Sequence, residues 1–368
     1  MKRCLKNIAW ILLKNFFGCF FPLKKQIYFR SYNGLQYSCN PKSISSLVHE
    51  KKPDVQIVWS FSNPASVSVP DYVCKVKKNT FQDFKALFTS KIWVMNAGMV
   101  VPTKRKGQIF IDTWHGDRAF KNVSADVHGL PSAKAYEKVD YVLSGSDYAD
   151  KVFREQLGVK GEILKTGSPR NDLFFKDADI LRQRVKKKLN LEAFDKVLMF
   201  APTFREYESQ EQTLNFSKLI EMLNQRDSAS WCVLIRQHHK AIYGNSWKTD
   251  KRIIDVSKYP EMPELLLLSD IVISDYSSLV GDYVLLKRPV VLYVPDVEKY
   301  KAGRGLNFEL EKSPYVFAQT EAELFEKIVN LSESDAKMNC ENILDFYGNV
   351  VEDGNASERV TNFILGKL

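Results

Sequence analysis

Short, nearly continuous apolar runs recur along the chain and alternate with amphipathic stretches. The first series comprises QIYFRS (Gln26 to Ser31), VQIVWSF (Val55 to Phe61), KIWVMNA (Lys91 to Ala97), QIFIDTW (Gln108 to Trp114) and DYVLSGS (Asp140 to Ser146). Runs of this length, apolar in both directions, are what parallel strands buried between helices require. A Lys-rich helical stretch, Ala178 to Leu191, separates them from a second series. That series comprises KVLMFAP (Lys196 to Pro202), WCVLIR (Trp231 to Arg236), RIIDVS (Arg252 to Ser257), IVISDYSS (Ile271 to Ser278) and PVVLYVP (Pro289 to Pro295). The pattern predicts an α/β chain of two doubly wound, Rossmann-like halves joined near residues 175–195, with helices from Glu321 to Leu368. No repeat or long Gly/Ser tract intervenes, so the lobes are expected to meet across a short hinge with a cleft between them.

The opening 25 residues break this pattern. MKRCLKNIAWILLKNFFGCFFPLKK mixes large apolar residues with Lys and Arg and contains no acid. At 100° per residue, Arg3, Lys6, Asn7 and Lys14 fall on one side of a helix, and Leu5, Ile8, Leu12, Phe16 and Phe20 gather on the other. Lys6, Asn7, Lys14 and Asn15 interrupt the apolar stretch and no small-residue cleavage site follows, which argues against a secretory signal. Residues 1–25 are therefore expected to form an amphipathic helix lying in a membrane interface, with Trp10 and the phenylalanines buried there. Each basic residue near an anionic leaflet contributes about 1 kcal/mol. A helix packed on its own domain is the competing expectation.

At 368 residues the chain exceeds the usual single core. The expected domains are residues 26–175 and 190–345, followed by a C-terminal helix over 346–368. The 53 Lys and Arg against 44 Asp and Glu leave a formal charge of +9, which favours anionic partners. Six scattered cysteines show no CxxC pair or zinc-like Cys/His spacing, as expected of reduced thiols in a cytoplasmic protein.

In open α/β sheets ligands bind beyond the carboxyl ends of strands, so the polar residues that follow the apolar runs are the candidates for chemistry. IDTWHGD places His115 and Gly116 after a predicted strand. A histidine there serves equally as a turn cap or as a general base, a role typically worth about 10²- to 10⁴-fold in rate. TGSPRND presents Arg170, whose planar fork suits bidentate phosphate contacts. FAPTFRE puts Thr203 and Arg205 at the next strand end, and LIRQHHK gathers Arg236, His238, His239 and Lys240. In SDIVISDYSSLVGDY an apolar strand runs into Asp275, Ser277 and Ser278, with Asp282 on the helix that starts there. Hydroxyls at such a start can contact phosphate or simply cap the helix. The GxxxxGK[ST] phosphate loop, the strand-following GxGxxG, the GxSxG elbow and HExxH are all missing, which weakens kinase, dehydrogenase, hydrolase and zinc-peptidase readings. No nucleic-acid-binding fold is recognisable and no basic–aromatic surface is concentrated on one element, so nucleic acid is not an expected partner.

Taken in order, WHG, GSPRND, APTFR, a strand ending in RxH, and SDYSSxxxDY followed by KRPVVLYVPD resemble the motif series of the CDP-glycerol glycerophosphotransferase family of teichoic acid and capsule synthesis. The likeness spans about residues 26 to 310, and RSYNGLQYSCNPKSISSLV (Arg30 to Val48) resembles the family's opening strand, loop and helix. It implies a GT-B fold and transfer of glycerol phosphate from CDP-glycerol to a hydroxyl of a lipid-linked saccharide or growing polymer, with release of CMP. It further implies a peripheral enzyme on the cytoplasmic face of a bacterial membrane, attached to its anionic surface. His115 and His238 resemble the family's two essential histidines, and either can serve as the base. Gly116, Asp117, Arg118, Ala119, Arg170, Pro202, Thr203, Arg236, Gln237, Ser277, Ser278 and Asp282 fall on positions that resemble donor contacts, and Arg205 joins them from the bottom-up reading. No motif calls for a cofactor; Mg²⁺ is the one metal the diphosphate chemistry leaves open.

The family commonly reads WHGTP where this chain has Asp117 and Arg118, and HP where it has His238 and His239. An aspartate beside a diphosphate is repulsive unless Arg118 pairs with it or it faces a polyol hydroxyl, which keeps CDP-ribitol and other CDP-polyols open as donors. A GT-B glycosyltransferase using a nucleotide sugar is a second enzymatic reading. A catalytically silent protein that binds an anionic polymer is a third.

Overall fold

The computed structural model describes residues 2–97, 103–123, 133–203, 205, 214–237 and 249–368, with backbone alone for 2–9 and 133–135. These residues form two compact units. The first comprises Met1–Asp117, Val123–Asp172 and Val351–Leu368, and the second Arg118–Asn122 and Leu173–Val350.

In the first unit β1 (Lys24–Arg30), β2 (Gln56–Phe61), β3 (Val73–Lys77), β4 (Ser90–Met95), β5 (Ile109–Asp112), β6 (Tyr141–Ser144) and β7 (Glu162–Lys165) build one sheet. Its order is β3-β2-β1-β4-β5-β6-β7, and every pairing is parallel, with Ile27 opposite Ile57 and Ile92. Successive side chains of a strand point to opposite faces, so both faces of an apolar run must be covered. Tyr28, Val58, Trp93, Phe110 and Val142 lie in one cluster with Phe17 of α1 (Lys2–Phe20), Leu87 and Phe88 of α3 (Phe81–Thr89), and Phe153 of α4 (Asp147–Glu155). Ile27, Phe29, Ile57, Trp59, Ile92 and Ile111 lie in another with Ile44 and Val48 of α2 (Cys39–Lys51) and with Val360 and Ile364 of the C-terminal helix (Ala356–Lys367).

The second unit repeats the scheme. β8 (Lys196–Phe200), β9 (Trp231–Ile235), β10 (Ile253–Asp255), β11 (Ile271–Ser274), β12 (Val290–Tyr293) and β13 (Phe317–Ala318) run in the order β10-β9-β8-β11-β12-β13, again all parallel. The other elements of this unit are α5 (Ala178–Lys188), α6 (Phe216–Asp227), α7 (Met262–Leu268), α8 (Leu279–Tyr283), α9 (Val297–Arg304), α10 (Glu321–Asn330) and α11 (Glu333–Tyr347). Leu219, Ile220 and Leu223 of α6 and Leu324, Phe325 and Ile328 of α10 pack on Leu198, Val233 and Ile273 of the sheet. In each sheet the strand order reverses once, beside β1/β4 and beside β8/β11, and crevices for ligands open outside the carboxyl ends at such points.

Three strands, β3, β7 and β13, lack the apolar run that marks the others. All three are edge strands. An edge strand is covered on fewer sides, so VCKVK and EILK carry charge where an inner strand could not.

Helix α1 departs from the sequence expectation in one respect. Trp10, expected in a membrane interface, instead packs edge-on against Phe84 and Phe88 of α3, with ring centroids 5.6 and 6.2 Å away. Phe17 is 1% exposed beside it. The opposite face carries Leu12, Phe16 and Phe20, exposed at 64%, 46% and 68%.

The C-terminal helix begins on a borrowed cap. The first backbone amides of a helix have no partner within it. Here Ala356 N and Ser357 N donate to the two oxygens of Asp172, at 2.9 and 2.7 Å. Asp172 closes the GSPRND segment, so that segment also anchors the end of the chain. Asp172→Ala is expected to lower unfolding stability by about 1 kcal/mol, the usual worth of a helix cap, in a urea titration; an unchanged midpoint would contradict the capping role.

Candidate active site

The segment that follows β5 is shaped by its own aspartate. Asp112 is fully buried, and its Oδ1 accepts the Trp114 amide at 2.8 Å. That bond closes a tight turn in which Trp114 adopts φ +49°, a left-handed conformation rare for a bulky residue. Trp114 is held there by edge-on contacts with Tyr136 and Phe153 and by its Nε1–H donating to Gly116 O at 3.0 Å. The strain is therefore met by packing, and it turns His115 out at the tip of the loop.

His115 sits at the reversal point of the first sheet. Its Nδ1 lies 2.6 Å from the Asn96 carbonyl, just beyond β4, and its ring meets Tyr32, just beyond β1, at 5.5 Å. A carbonyl can only accept, so in the neutral ring Nδ1 carries the proton and Nε2 the lone pair. Asn96 is itself fixed, its Oδ1 accepting Tyr32 N at 2.8 Å and its Nδ2 donating to Ser31 Oγ at 3.1 Å.

Asn40, the second residue of α2, joins this loop to the GSPRND segment. Its Nδ2 donates to Thr113 O at 2.9 Å and its Oδ1 accepts Arg170 N at 3.0 Å. Arg170 is buried, with Nη1 3.4 Å from Cys39 Sγ. Neither Asn40 nor Asn96 carries a spacing signature in the sequence, although each lies directly beside a motif.

Asp117 and Arg118 each have a buried partner within their own unit. Asp117 is buried in the first unit and its Oδ2 accepts Gly145 N at 2.9 Å. Arg118 belongs to the second unit, is fully buried, and bonds Asp282 Oδ1 through Nη2 at 2.9 Å. A Cβ on Gly281 would lie 2.5 Å from Arg118 Cβ, so glycine at 281 is what lets α8 close over that arginine. Ala119 O accepts Asn307 Nδ2 at 3.1 Å, which lays residues 118–122 along 305–307.

At the reversal point of the second sheet the organising group is Asp275. Both of its oxygens accept Thr203 N, at 2.9 and 3.0 Å, and Oδ2 also meets Arg205 Nη1 at 2.7 Å. Arg205 Nε reaches Asp296 Oδ2 at 2.6 Å, and its guanidinium lies 5.0 and 5.3 Å from the ring centres of Tyr276 and Tyr300. Burial works against the Arg205 charge, but Asp275 and Asp296 more than offset it and the pKa rises. Arg205 is thus a bracket for the Thr203 and Asp275 loops, with its fork turned to the protein. Arg236 Nη1 donates to Tyr259 O, and Gln237 N donates to Ser257 Oγ at 2.9 Å, so both tie β9 to the loop after β10. Ser277 Oγ accepts Leu279 N at 3.5 Å, while Ser278 makes no side-chain cap.

The sequence candidates therefore divide in two. His115, Thr203, Arg236, Gln237, Ser277 and Ser278 are partly exposed. Gly116, Asp117, Arg118, Ala119, Arg170, Pro202, Arg205 and Asp282 are buried and form the frame. His238, His239 and Lys240 lie outside the described residues. Among the described residues no group of three or more His, Cys, Asp or Glu converges as a metal site.

The profile of the CDP-glycerol:poly(glycerophosphate) glycerophosphotransferase family matches residues 14–366. A teichoic acid poly(glycerol phosphate) polymerase of Bacillus spizizenii is 30% identical over 93% of this chain and 92% of its own length. A protein of the same description from Bacillus subtilis is 28% identical over 94% of this chain, which spans 49% of that relative. Among solved structures, the wall teichoic acid polymerase TagF in a variant soaked with CDPG superposes with a TM-score of 0.85 at 27% identity, covering 99% of this chain and 97% of that one. A UDP-N-acetylglucosamine 2-epimerase from Listeria monocytogenes shares the fold alone, at 14% identity and a TM-score of 0.55 over 93% and 96% of the two chains.

Burial pushes the Asp112 carboxyl up to about 7, against the opposite pull of the Trp114 amide. Between its unfolded value near 4 and that folded value, the folded chain holds the extra proton. Stability is therefore lost as pH rises through this window and stays lower above it. Asp112→Asn keeps an oxygen for the Trp114 amide without the charge. It is expected to raise stability at pH 8 by roughly 2–4 kcal/mol and to leave it nearly unchanged at pH 4, read as melting temperature against pH; equal shifts at both pH values would contradict a buried, titrating carboxyl.

Proposed function

The chain belongs to the CDP-glycerol:poly(glycerophosphate) glycerophosphotransferase family, and from that premise we propose that it transfers glycerol phosphate from CDP-glycerol to a hydroxyl of a membrane-linked acceptor in teichoic acid or capsular polymer synthesis. The observation that carries this reading is the His115 ring, whose Nδ1–H is spent on the Asn96 carbonyl so that Nε2 holds the lone pair. Nε2 takes the proton of the acceptor hydroxyl as its oxygen attacks the β-phosphorus. The phosphoanhydride bond breaks, CMP leaves with the bridging oxygen, and glycerol phosphate remains on the acceptor as a phosphodiester. Thr203, Ser277 and Ser278 supply hydroxyls, and Arg236 and Gln237 donors, to the nucleotide; positive groups and N–H dipoles stabilise the charge that develops on the leaving phosphate. The buried set from Arg118 to Asp282 acts by holding these residues in place.

The same reading places the enzyme on the cytoplasmic face of the membrane. Among the described residues no helix is long and apolar enough to cross a bilayer. Helix α1 instead offers an exposed row of Leu12, Phe16 and Phe20 along one side while its other side is fixed on α3. Such a row, backed by a chain of net charge +9, suits an anionic interface.

Two measurements test these assignments. Purified protein offered CDP-glycerol, CDP-ribitol or UDP-sugars with membrane extract is expected to release CMP from CDP-glycerol, and His115→Ala to cut that rate by about 10²- to 10⁴-fold. CMP from CDP-ribitol alone would move the donor to ribitol, and UDP release would indicate a glycosyltransferase. In sedimentation with phosphatidylglycerol vesicles, Phe16→Glu with Phe20→Glu is expected to weaken binding about tenfold or more without changing the far-UV spectrum; undiminished binding would remove α1 from the membrane contact.

A further inference from the structure

Arg30 ends β1 at the reversal point of the first sheet. Among the described residues its Nη2 reaches only the Met95 thioether, at 3.2 Å, a weak acceptor. Its Nε is buried without a partner, and no carboxylate among the described residues comes within ion-pair distance of Arg30. Lys78, immediately after β3, makes no ion pair among the described residues, its Nζ donating to Asn33 O at 3.1 Å and Asn33 Oδ1 at 2.7 Å. The two cations feel each other: the Lys78 pKa is lowered first by burial and then by the Arg30 charge, with Asp83 pulling the other way. Asp83 is already committed, to Tyr28 OH and to Asn79 N at 2.8 Å each.

Two half-buried like charges with unspent donors cost stability unless an anion joins them. Their position says which anion. The loop 31–33 runs from Arg30 to the Lys78 partner Asn33, and it carries Ser31 and Tyr32, which hold Asn96 and face the His115 ring. A guanidinium fork and an ammonium at the two ends of the loop that meets the base match the oxygens of a phosphate diester.

We infer that Arg30 and Lys78 form an anion subsite in the first unit that binds a phosphate diester of the acceptor, one unit in from the hydroxyl that attacks. The inference rests on the glycerophosphotransferase reading and assigns to two residues of this chain the grip on the acceptor's nearest diester. The diester can belong to a lipid-linked primer or to a free chain end; the chemistry recognised is the same.

Calorimetric titration of the full chain with glycerophosphoglycerol, with neutral diglycerol and with a lipid-tailed glycerophosphoglycerol in micelles tests it. The wild type is expected to bind both diesters more tightly than diglycerol, and Arg30→Gln and Lys78→Gln each to weaken the diesters about tenfold, the worth of one charged hydrogen bond. Diglycerol and CDP-glycerol affinities are expected to stay at wild-type values. A loss confined to the lipid-tailed probe would assign the subsite to a lipid-linked phosphate, and a loss with both to any chain end. Wild-type affinity in both variants, or equal weakening of diglycerol, would overturn the inference; Lys78 lies on a loop, so its variant decides the matter even where Arg30→Gln fails to fold. CMP release by the wild type scores the parent reading separately: diester binding without CMP would remove the transferase and keep the subsite, and CMP without a diester effect would do the reverse.

Discussion

Every strand pairing in both sheets is parallel, and that constraint organises everything else in the molecule. Parallel neighbours put all carboxyl ends of a sheet on one edge, so residues far apart in sequence must meet there. Asn96, Thr113 and Arg170, which lie on separate loops, are linked within the first unit through His115 and Asn40. Thr203, Asp275 and Asp296 converge in the second for the same reason. The chemistry sits on loops, but the sheets decide which loops are neighbours.

Those loops are fixed largely by buried carboxylates that accept backbone amides. Asp112 takes Trp114 N, Asp117 takes Gly145 N and Asp275 takes Thr203 N. Where the acid is ionised the bond is charge-assisted and stronger than a neutral one; at Asp112 burial opposes the charge, and the carboxyl oxygen holds the turn as an acceptor. They also commit acids that would otherwise repel a diphosphate, and two arginines, Arg118 and Arg205, are bound to such acids in turn. The positive charge for an anionic ligand comes from other residues, among which we assign Arg30 and Lys78, linked to the histidine through the loop 31–33.

Inner strands were legible in the sequence because burial on both faces demands an unbroken apolar run, as in QIVWSF and IVIS. The edge strands β3, β7 and β13 were not, since exposure lets polar residues in. The motifs at the strand ends were equally legible, His115 and Asp275 among them. Which member reaches outward and which braces the loop was not. Arg205 and Arg170 have the same chemistry on paper, and Asp117 looks like a mismatch beside a diphosphate until Gly145 is seen to donate to it. Hydrogen-bond partners separated by tens of residues leave no local periodicity, which is also why Asn40 and Asn96 escaped notice. In α1 the helical wheel found an apolar side, but a helix with apolar residues on both sides does not declare which one the domain takes, and Trp10 went inward.

The claim on which the chemistry turns is that the Asn96 carbonyl fixes the tautomer of His115. Long-range ¹H–¹⁵N correlation on protein labelled at histidine nitrogens reads it directly, with the His115 signals identified by their loss in His115→Ala. The structure predicts a neutral ring protonated at Nδ1 and unprotonated at Nε2. A proton on Nε2 instead would mean that the ring does not donate to Asn96, and that His115 cannot present its lone pair where the base requires it.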